Sequence, residues 1–289
     1  MKDDDLNFLI TCSDDELAPL VDILLGKEMV YSVDGYGGYK QFPKGRFSSE
    51  LQDNRKFRQF YPQHSKYVSE IVDELQLFGG NTLVNKLVRD NSGILYRQIV
   101  SDVAKRLKVE RQGGVEEVEL AIWERVLGKA VEKENATQVR QLCEGLADFG
   151  YMPKGSSVAR AVLGTIKLGG FKAYQMNVCL ANLVARSVTG RGLSLAANAT
   201  LTKTMSILVG PLGWAFTVFW TIKDIAAEAY RVTVPAVVYI GALRQIKKYQ
   251  QQELKRKNEL RKKRIHCFLR CFLFVVGLAV IVFLILKLR

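Results

Sequence analysis

The residues able to do chemistry in this chain are few and widely spaced. There are two histidines, His64 and His266. A Ser-His-Asp or Cys-His centre would have to be built on His64, and no nucleophile signature accompanies it. A satisfied histidine, on the surface or in the core, explains His64 without further assumption. The cysteines are Cys12, Cys143, Cys179, Cys267 and Cys271. Their number is odd, their spacing is wide and no CxxC pair occurs, so neither a disulfide framework nor a zinc knuckle is indicated. A reducing compartment suits them. Cys267 and Cys271 stand one helical turn apart, a spacing open to reversible acylation, although small apolar packing serves equally well. Gly190-Arg191-Gly192 lacks the third glycine of a dinucleotide fingerprint, and no GxxxxGK[ST] loop exists. Gly79-Gly80-Asn81 could cradle an anion at a helix start, because unbonded amides there attract negative charge. A plain turn and cap account for it as well. No catalytic residue, metal or cofactor is expected, and the chain reads as non-enzymatic.

Charge sharpens that reading. The net charge is +13, in a composition 48% hydrophobic and 25% charged that fits a folded protein. From Arg244 to Arg289 there are thirteen Lys or Arg and two acids, Glu253 and Glu259, so this segment carries +11 and the first 243 residues only +2. A basic block beside an apolar run points to membrane topology before nucleic acid. Between Tyr31 and Pro62, Tyr36, Tyr39, Phe42, Phe57 and Phe60 interleave with Arg55, Lys56 and Arg58. Such interleaving can bind single strands, but the modest local charge favours rings packed on a core. The N-terminus carries Asp3, Asp4 and Asp5 where a signal peptide would be basic, so the bulk of the chain is not expected to be exported.

The elements follow from capping and breaking residues. Ser13-Asp14-Asp15-Glu16 is a capping box, and Leu17, Leu20, Val21, Leu24 and Leu25 then follow helical spacing. Ser65 to Phe78 predicts a helix stopped by Gly79-Gly80, with Asn81 able to cap Thr82 to Arg89. Leu95 to Leu107, Glu116 to Lys133 and Gln138 to Phe149 are further helices, and no alternating run predicts a strand. From Ser156 to Leu243 the chain is rich in small and apolar residues. Thr204 to Ile222 runs without a charge and Val232 to Leu243 is a second apolar run. Two readings stand: a close-packed helical core, or a hydrophobic hairpin that inserts on a trigger, with Asp224, Glu228 and Arg231 costly inside lipid. Arg231 is expected to pair with Glu228 or Asp224 within the core.

The tail gives the clearest signal. Cys271 to Leu286, with Gly277 inside it, is sixteen residues without a charge. It rises about 24 Å as a helix against a hydrocarbon core of about 30 Å. The shortfall is covered by Ile265 to Leu269 and by snorkelling of Arg270 and Lys287. The stalk before it, Arg244 to Arg264, holds Lys255, Arg256, Lys257, Arg261, Lys262, Lys263 and Arg264, which flank the span and keep the N-terminal part cytoplasmic. Each cation near an anionic leaflet contributes about 1 kcal/mol.

Several blocks carry a resemblance. Glu74-Leu75-Gln76-Leu77-Phe78-Gly79-Gly80-Asn81, then Asn85-Lys86-Leu87, Leu95-Tyr96-Arg97 and Asp102-Val103-Ala104-Lys105-Arg106-Leu107-Lys108, resemble the YaaW family of bacteria, also labelled ubiquinol-cytochrome c chaperone-like. The opening Asp5-Leu6-Asn7-Phe8-Leu9, with Cys12-Ser13 and Glu16-Leu17, looks like the short N-terminal domain of the same proteins. Ala229-Tyr230-Arg231-Val232-Thr233-Val234-Pro235-Ala236-Val237 matches as a second block. The resemblance spans most of residues 3 to 245, while the stalk and anchor look like an addition. It marks Phe78, Gly79, Gly80, Asn81, Lys86, Tyr96, Asp102, Lys105, Arg106, Tyr230, Arg231 and Pro235 as family-motif positions.

The expected architecture is all-α. It comprises a short helical domain at 1–30, a helical domain at 31–150, a small-residue-rich helical region at 151–243, a basic stalk at 244–264 and a transmembrane tail anchor at 265–289. The expected setting is a single pass in a bacterial inner membrane. The expected partners are the bilayer, with an anionic leaflet, an unidentified protein and a second copy of the chain, while nucleic acid is disfavoured. The expected function is a non-enzymatic tethered protein acting through protein contacts, such as an assembly factor or chaperone of a membrane complex. The alternative is a permeabilising effector that inserts 204–243.

Overall fold

A computed structural model describes residues 3–30, 38–41, 50–80, 93–110, 112–132, 137, 158–189, 192 and 228–287, with backbone alone at 27–30, 38–41, 228, 274–276 and 278–287. Ser13 starts the first α-helix as its neighbours dictate. Its hydroxyl accepts from the Glu16 amide at 3.3 Å, and the Glu16 carboxylate accepts from the Ser13 amide at 2.8 Å. Two amides that the helix cannot bond internally are thereby satisfied. The helix, α1 (Asp14–Leu24), buries Leu17, Leu20, Val21 and Leu24. Each such side chain contributes about 1.5–3 kcal/mol by leaving water. A 3-10 helix, Asp4–Thr11, precedes it and buries Leu6 and Leu9.

After α1 come β1 (Lys27–Val30) and β2 (Gly38–Gln41), paired antiparallel with Lys27 opposite Gln41. This ribbon corrects the expectation of no strand. Apart from it the described chain is helical, and the fold class is all-α. Two short helices follow, α2 (Glu50–Asp53) and α3 (Arg55–Phe60), then a 3-10 turn at His64–Lys66. The larger helices are α4 (Val68–Gly80), α5 (Tyr96–Arg106), α6 (Val115–Val131), α7 (Val158–Leu168), α8 (Gly170–Thr189) and α9 (Glu228–Lys287). The helix expected to end at Phe78 runs on through both glycines. The expected helices at 82–89 and 138–149, and the apolar run at 204–222, lie outside the described residues.

Residues Met1–Lys247 form one compact unit and Lys248–Arg289 a second. The segments anticipated as separate parts at 1–30, 31–150 and 151–243 all fall within the first. Its core is continuous across α1, α4, α5, α6, α7, α8 and the opening of α9. Val232–Leu243 is buried throughout, as a helix surrounded by others on every side must be. Small and hydroxyl-bearing residues are tolerated there because their polar groups are satisfied locally. Thr165, Asn177, Thr189 and Thr233 each donate to the carbonyl four residues earlier, at 2.8–3.0 Å. The close-packed reading therefore holds for 232–243 and for 158–189 apart from the exposed residues 167–172.

The second unit is the remainder of α9. Its described side chains from Gln250 to Leu273 are exposed, apart from the partly covered Glu253. Among the described residues, no helix is long and apolar enough to cross a membrane. The side chains of the expected span, Cys271–Leu286, lie mostly outside them. Its backbone is helical through Lys287, and its side chains are described only at Cys271, Phe272, Leu273 and Gly277, all exposed.

Candidate functional site

The most concentrated polar chemistry in the first unit surrounds Arg244. This residue opens the segment that the sequence marks as a basic stalk, and it is buried, as is Lys247 one turn on. The reason is that each finds a carboxylate far away in sequence. The Glu119 carboxylate takes the guanidinium side-on, from Nε at 2.9 Å and from Nη2 at 3.0 Å. The planar fork of arginine suits such a bidentate pair. Nη1 donates to the Asp5 carbonyl at 2.8 Å, and the rings of Phe8 and Tyr96 lie 4.6 and 5.8 Å from the guanidinium carbon. The Tyr96 hydroxyl donates to Glu119 at 2.7 Å. Lys247 donates to Glu16 at 2.6 Å, joining the capping box to α9, and the Tyr239 hydroxyl donates to the Glu16 carbonyl at 2.8 Å.

Helix geometry brings these groups together. Glu119 lies on the face of α6 that buries Ile122, Trp123 and Val126. Gly241 of α9 faces this stripe, and a Cβ there would make ordinary contact, at 3.4 Å, with both Glu119 Cβ and Trp123 Nε1. Tyr96 opens α5, and its amide donates to the Asp3 carboxylate at 2.7 Å. The same carboxylate accepts from Gln76 at 2.9 Å and from the Asp5 amide at 3.2 Å. Asp3 thus caps two helices at once, placing negative charge where unbonded amides gather. Asp5 also bridges outward, its carboxylate meeting Arg97 at 3.2 Å.

Burial drives the electrostatics. It pushes the Glu119 carboxyl up, against the opposing pull of Arg244 and Tyr96. It would lower the Arg244 guanidinium, but the bonds and charge of Glu119 outweigh it, and Arg244 rises. Tyr96 is raised well above its ordinary value by burial, then by Glu119. These groups fix α9 to α5, α6 and the N-terminal segment.

The residues singled out from sequence divide into several groups. Phe78 and Gly79 are buried at the C-terminal end of α4, with Gly80 partly covered. A Cβ on Gly79 would lie 2.5 Å from Ile99 Cγ1, so this glycine is required by the close approach of α4 to α5. Both glycines are helical within α4, and the helix start at Asn81 that the anion cradle requires lies outside the described residues. Asn81 and Lys86 lie outside the described residues. Asp102, Arg106 and Tyr230 meet: the Arg106 guanidinium sits 5.1 Å over the Tyr230 ring, and burial, then the Asp102 charge, push the Tyr230 hydroxyl up. The two motif blocks therefore touch. Lys105 is exposed and Pro235 is buried inside α9. Arg231 is exposed, which corrects its expected place in the core. It lies just before the stretch of α9 that is buried on all sides, and the buried arginine of that helix is Arg244.

In the second unit Lys255, Arg256, Lys257, Arg261, Lys262, Lys263 and Arg264 are exposed, with Arg256 reaching Glu253 at 3.0 Å. Cys271 and Gly277 are exposed, and the Leu286 side chain lies outside the described residues. His64 is buried, with its Nδ1 at the Tyr67 hydroxyl and its ring edge-on to Tyr61 and Tyr67. Burial pushes the Cys12 and Cys179 thiols up to about 12, which keeps them protonated. Among the described residues, no cluster of His, Cys, Asp or Glu could hold a metal ion. Lys56 and Arg58 lie against Glu70 and Asp53, so this aromatic-basic stretch carries its own counter-charges. Asp3, Glu16, Glu119, Arg244 and Lys247 were not singled out as a set. Glu119 had a usable signal, as an acid on the apolar stripe of its helix.

No established family profile matches the chain, and no solved structure matches it. Curated relatives do. A UPF0174 protein of Helicobacter pylori is 34% identical over 246 residues, covering 84% of this chain and 91% of the relative. A second from the same organism is 32% identical over 208 residues, covering 68% of this chain and 97% of its own. The UPF0174 protein YaaW of Escherichia coli K12 is 30% identical over 259 residues, covering 85% of this chain and 95% of the relative. With its two motif blocks in contact and relatives matched over nearly their whole length, the chain belongs to the UPF0174 family, that of YaaW.

Proposed function

We propose that this is a membrane-tethered helical protein that works through protein contacts, as an assembly factor or chaperone of a membrane complex would, and without catalysis. Its first unit is the contact module, on the cytoplasmic side of a bacterial inner membrane, and its second unit is the tether. One observation carries the reading: the second unit exposes a basic stretch and then large apolar side chains. Ile265, Phe268, Phe272 and Leu273 are 59%, 72%, 57% and 67% exposed, and they lead into the uncharged sequence that ends at Leu286. Apolar surface on that scale calls for cover, and a bilayer with an anionic leaflet matches the cations that precede it. The burial of Val232–Leu243 weighs against the alternative in which 204–243 inserts as a hairpin.

The test is a deletion of Phe268–Arg289, followed by carbonate extraction of membranes. The expected result is release of the truncated protein into the soluble fraction. Retention in the pellet would overturn the tether assigned to the second unit. Recovery of one defined partner on the intact chain, lost when the first unit is altered, is expected of a contact module.

A further inference from the structure

The hairpin formed by α7 and α8 has an unusual tip. Two consecutive glycines, Gly169 and Gly170, make the turn with φ of 71° and 73°, a region that side chains with a Cβ rarely enter. A Cβ at either would meet nothing within 4 Å, so the turn projects into open space. On its two sides stand Leu168, 68% exposed, and Phe171, 52% exposed. Lys167 and Lys172 flank them and are also exposed. Phe171 stacks on Tyr174 at 6.1 Å. The rest of the hairpin is anchored in the core through residues such as Val162, Met176 and Leu180.

Charge says what the tip suits. From Val158 to Thr189 the sequence holds Arg160, Lys167, Lys172 and Arg186 and no acid. A large aliphatic and an aromatic side chain bracketed by lysines is the composition of a segment lying at a lipid interface. The rings and aliphatic groups enter the headgroup–acyl boundary, while lysine ammonium groups stay at the phosphate level. We infer that the α7–α8 tip docks on an anionic lipid surface, through Leu168 and Phe171 as apolar contacts and Lys167 and Lys172 as phosphate contacts. This gives the first unit a lipid contact of its own. It deepens the tether reading by adding a second point of attachment, but it does not require the first.

Hydrogen exchange on the full chain tests it, in nanodiscs of phosphatidylcholine alone and in discs that also contain phosphatidylglycerol. The amides from Leu168 to Ala173 are expected to exchange ~3-fold or more slowly in the anionic discs, since each lysine near the surface adds attraction. Leu168→Ser with Phe171→Ser should abolish that difference. So should Lys167→Glu with Lys172→Glu, which leaves the apolar pair in place; an unchanged thermal midpoint in either variant shows the fold intact. Equal exchange in both discs by the unaltered chain would overturn lipid docking and leave the tip to a protein partner. Incorporation into discs reads the tether separately. Should the chain fail to incorporate, the same measurement with added anionic vesicles still decides the tip, slower exchange supporting it and unchanged exchange overturning it.

Discussion

The helix α9 is one element by its backbone and two by its chemistry. From Val232 to Lys247 it is buried, and its cations have individual carboxylate partners: Glu119 for Arg244 and Glu16 for Lys247. From Lys248 to Leu273 its described side chains are exposed apart from the partly covered Tyr249 and Glu253, and Arg256 pairs with Glu253 at 3.0 Å. Taking Arg244 and Lys247 out of the basic tail leaves eleven cations and two acids, a net +9, in the second unit. The same residue types thus do different work a few turns apart. In the first stretch a positive charge is a structural part, held where desolvation makes its loss costly. In the second, from Lys255 to Arg264, it is exposed to solvent.

That contrast breaks most visibly at Arg244. Arg244→Ala leaves the Glu119 carboxylate buried without its counter-charge, a loss of about 3–5 kcal/mol. In thermal unfolding of the full chain in mild detergent this should lower the midpoint by about 10 °C. Arg244→Lys should recover only part of it, because an ammonium cannot fill both sites of the fork. A midpoint unchanged by Arg244→Ala would mean that the Glu119 pair contributes no stability. The effect at Lys247 should be smaller. Lys247→Met keeps the aliphatic stem and removes one charged hydrogen bond to Glu16, which retains its bond to the Ser13 amide; about 1–2 kcal/mol is expected on the same melt. A loss as large as that at Arg244 would show that the capping box depends on the lysine.

The smallest effects should come from exposed positions. Arg231→Ala is expected to shift the midpoint by less than about a degree, as surface substitutions do. Replacing Lys255, Arg256, Lys257, Arg261, Lys262, Lys263 and Arg264 by Gln should leave it equally unmoved. The seven substitutions should instead weaken attachment to anionic vesicles in flotation, with the loss growing as salt is lowered, because screening is then least. A fall in the melting midpoint would sink the distinction between the two stretches of α9.

Much of the local structure was legible because its causes are local. The Ser13–Glu16 box, the helix after Leu95 and the helix after Gly114 are written in adjacent residues. Gly79 read as a helix stop, whereas it lies within α4, and the reason for a glycine there, Ile99, lies on another helix. The Arg244 node was not legible for the same kind of reason. Its partners, Glu119 and the Asp5 carbonyl, are 125 and 239 residues away, and its immediate neighbours are the cations of a basic run. Arg231 was placed in the core because acids stand three and seven residues before it, yet burial along α9 was decided by the helices around it. Asp3 read as part of an acidic terminus, when its carboxylate in fact starts a helix at residue 96. The β1–β2 ribbon escaped because neither strand carries the apolar alternation that signals one.

The bonds from Asp5 to Arg244 and from Glu16 to Tyr239 and Lys247 have a consequence in time. A chain is made from its N-terminus, and domains fold as their residues emerge. Here the first residues wait for almost the last of the unit before Glu119, Phe8 and Tyr96 can close around a guanidinium. Contacts of such sequence separation form late and slow folding. Until Arg244 leaves the ribosome, the faces of α1 and α6 that will receive α9 stay open, and nascent-chain chaperones have a window in which to hold them. Closure of the first unit therefore waits for Arg244 and Lys247 to emerge, so that a product truncated before Arg244 would carry an open core.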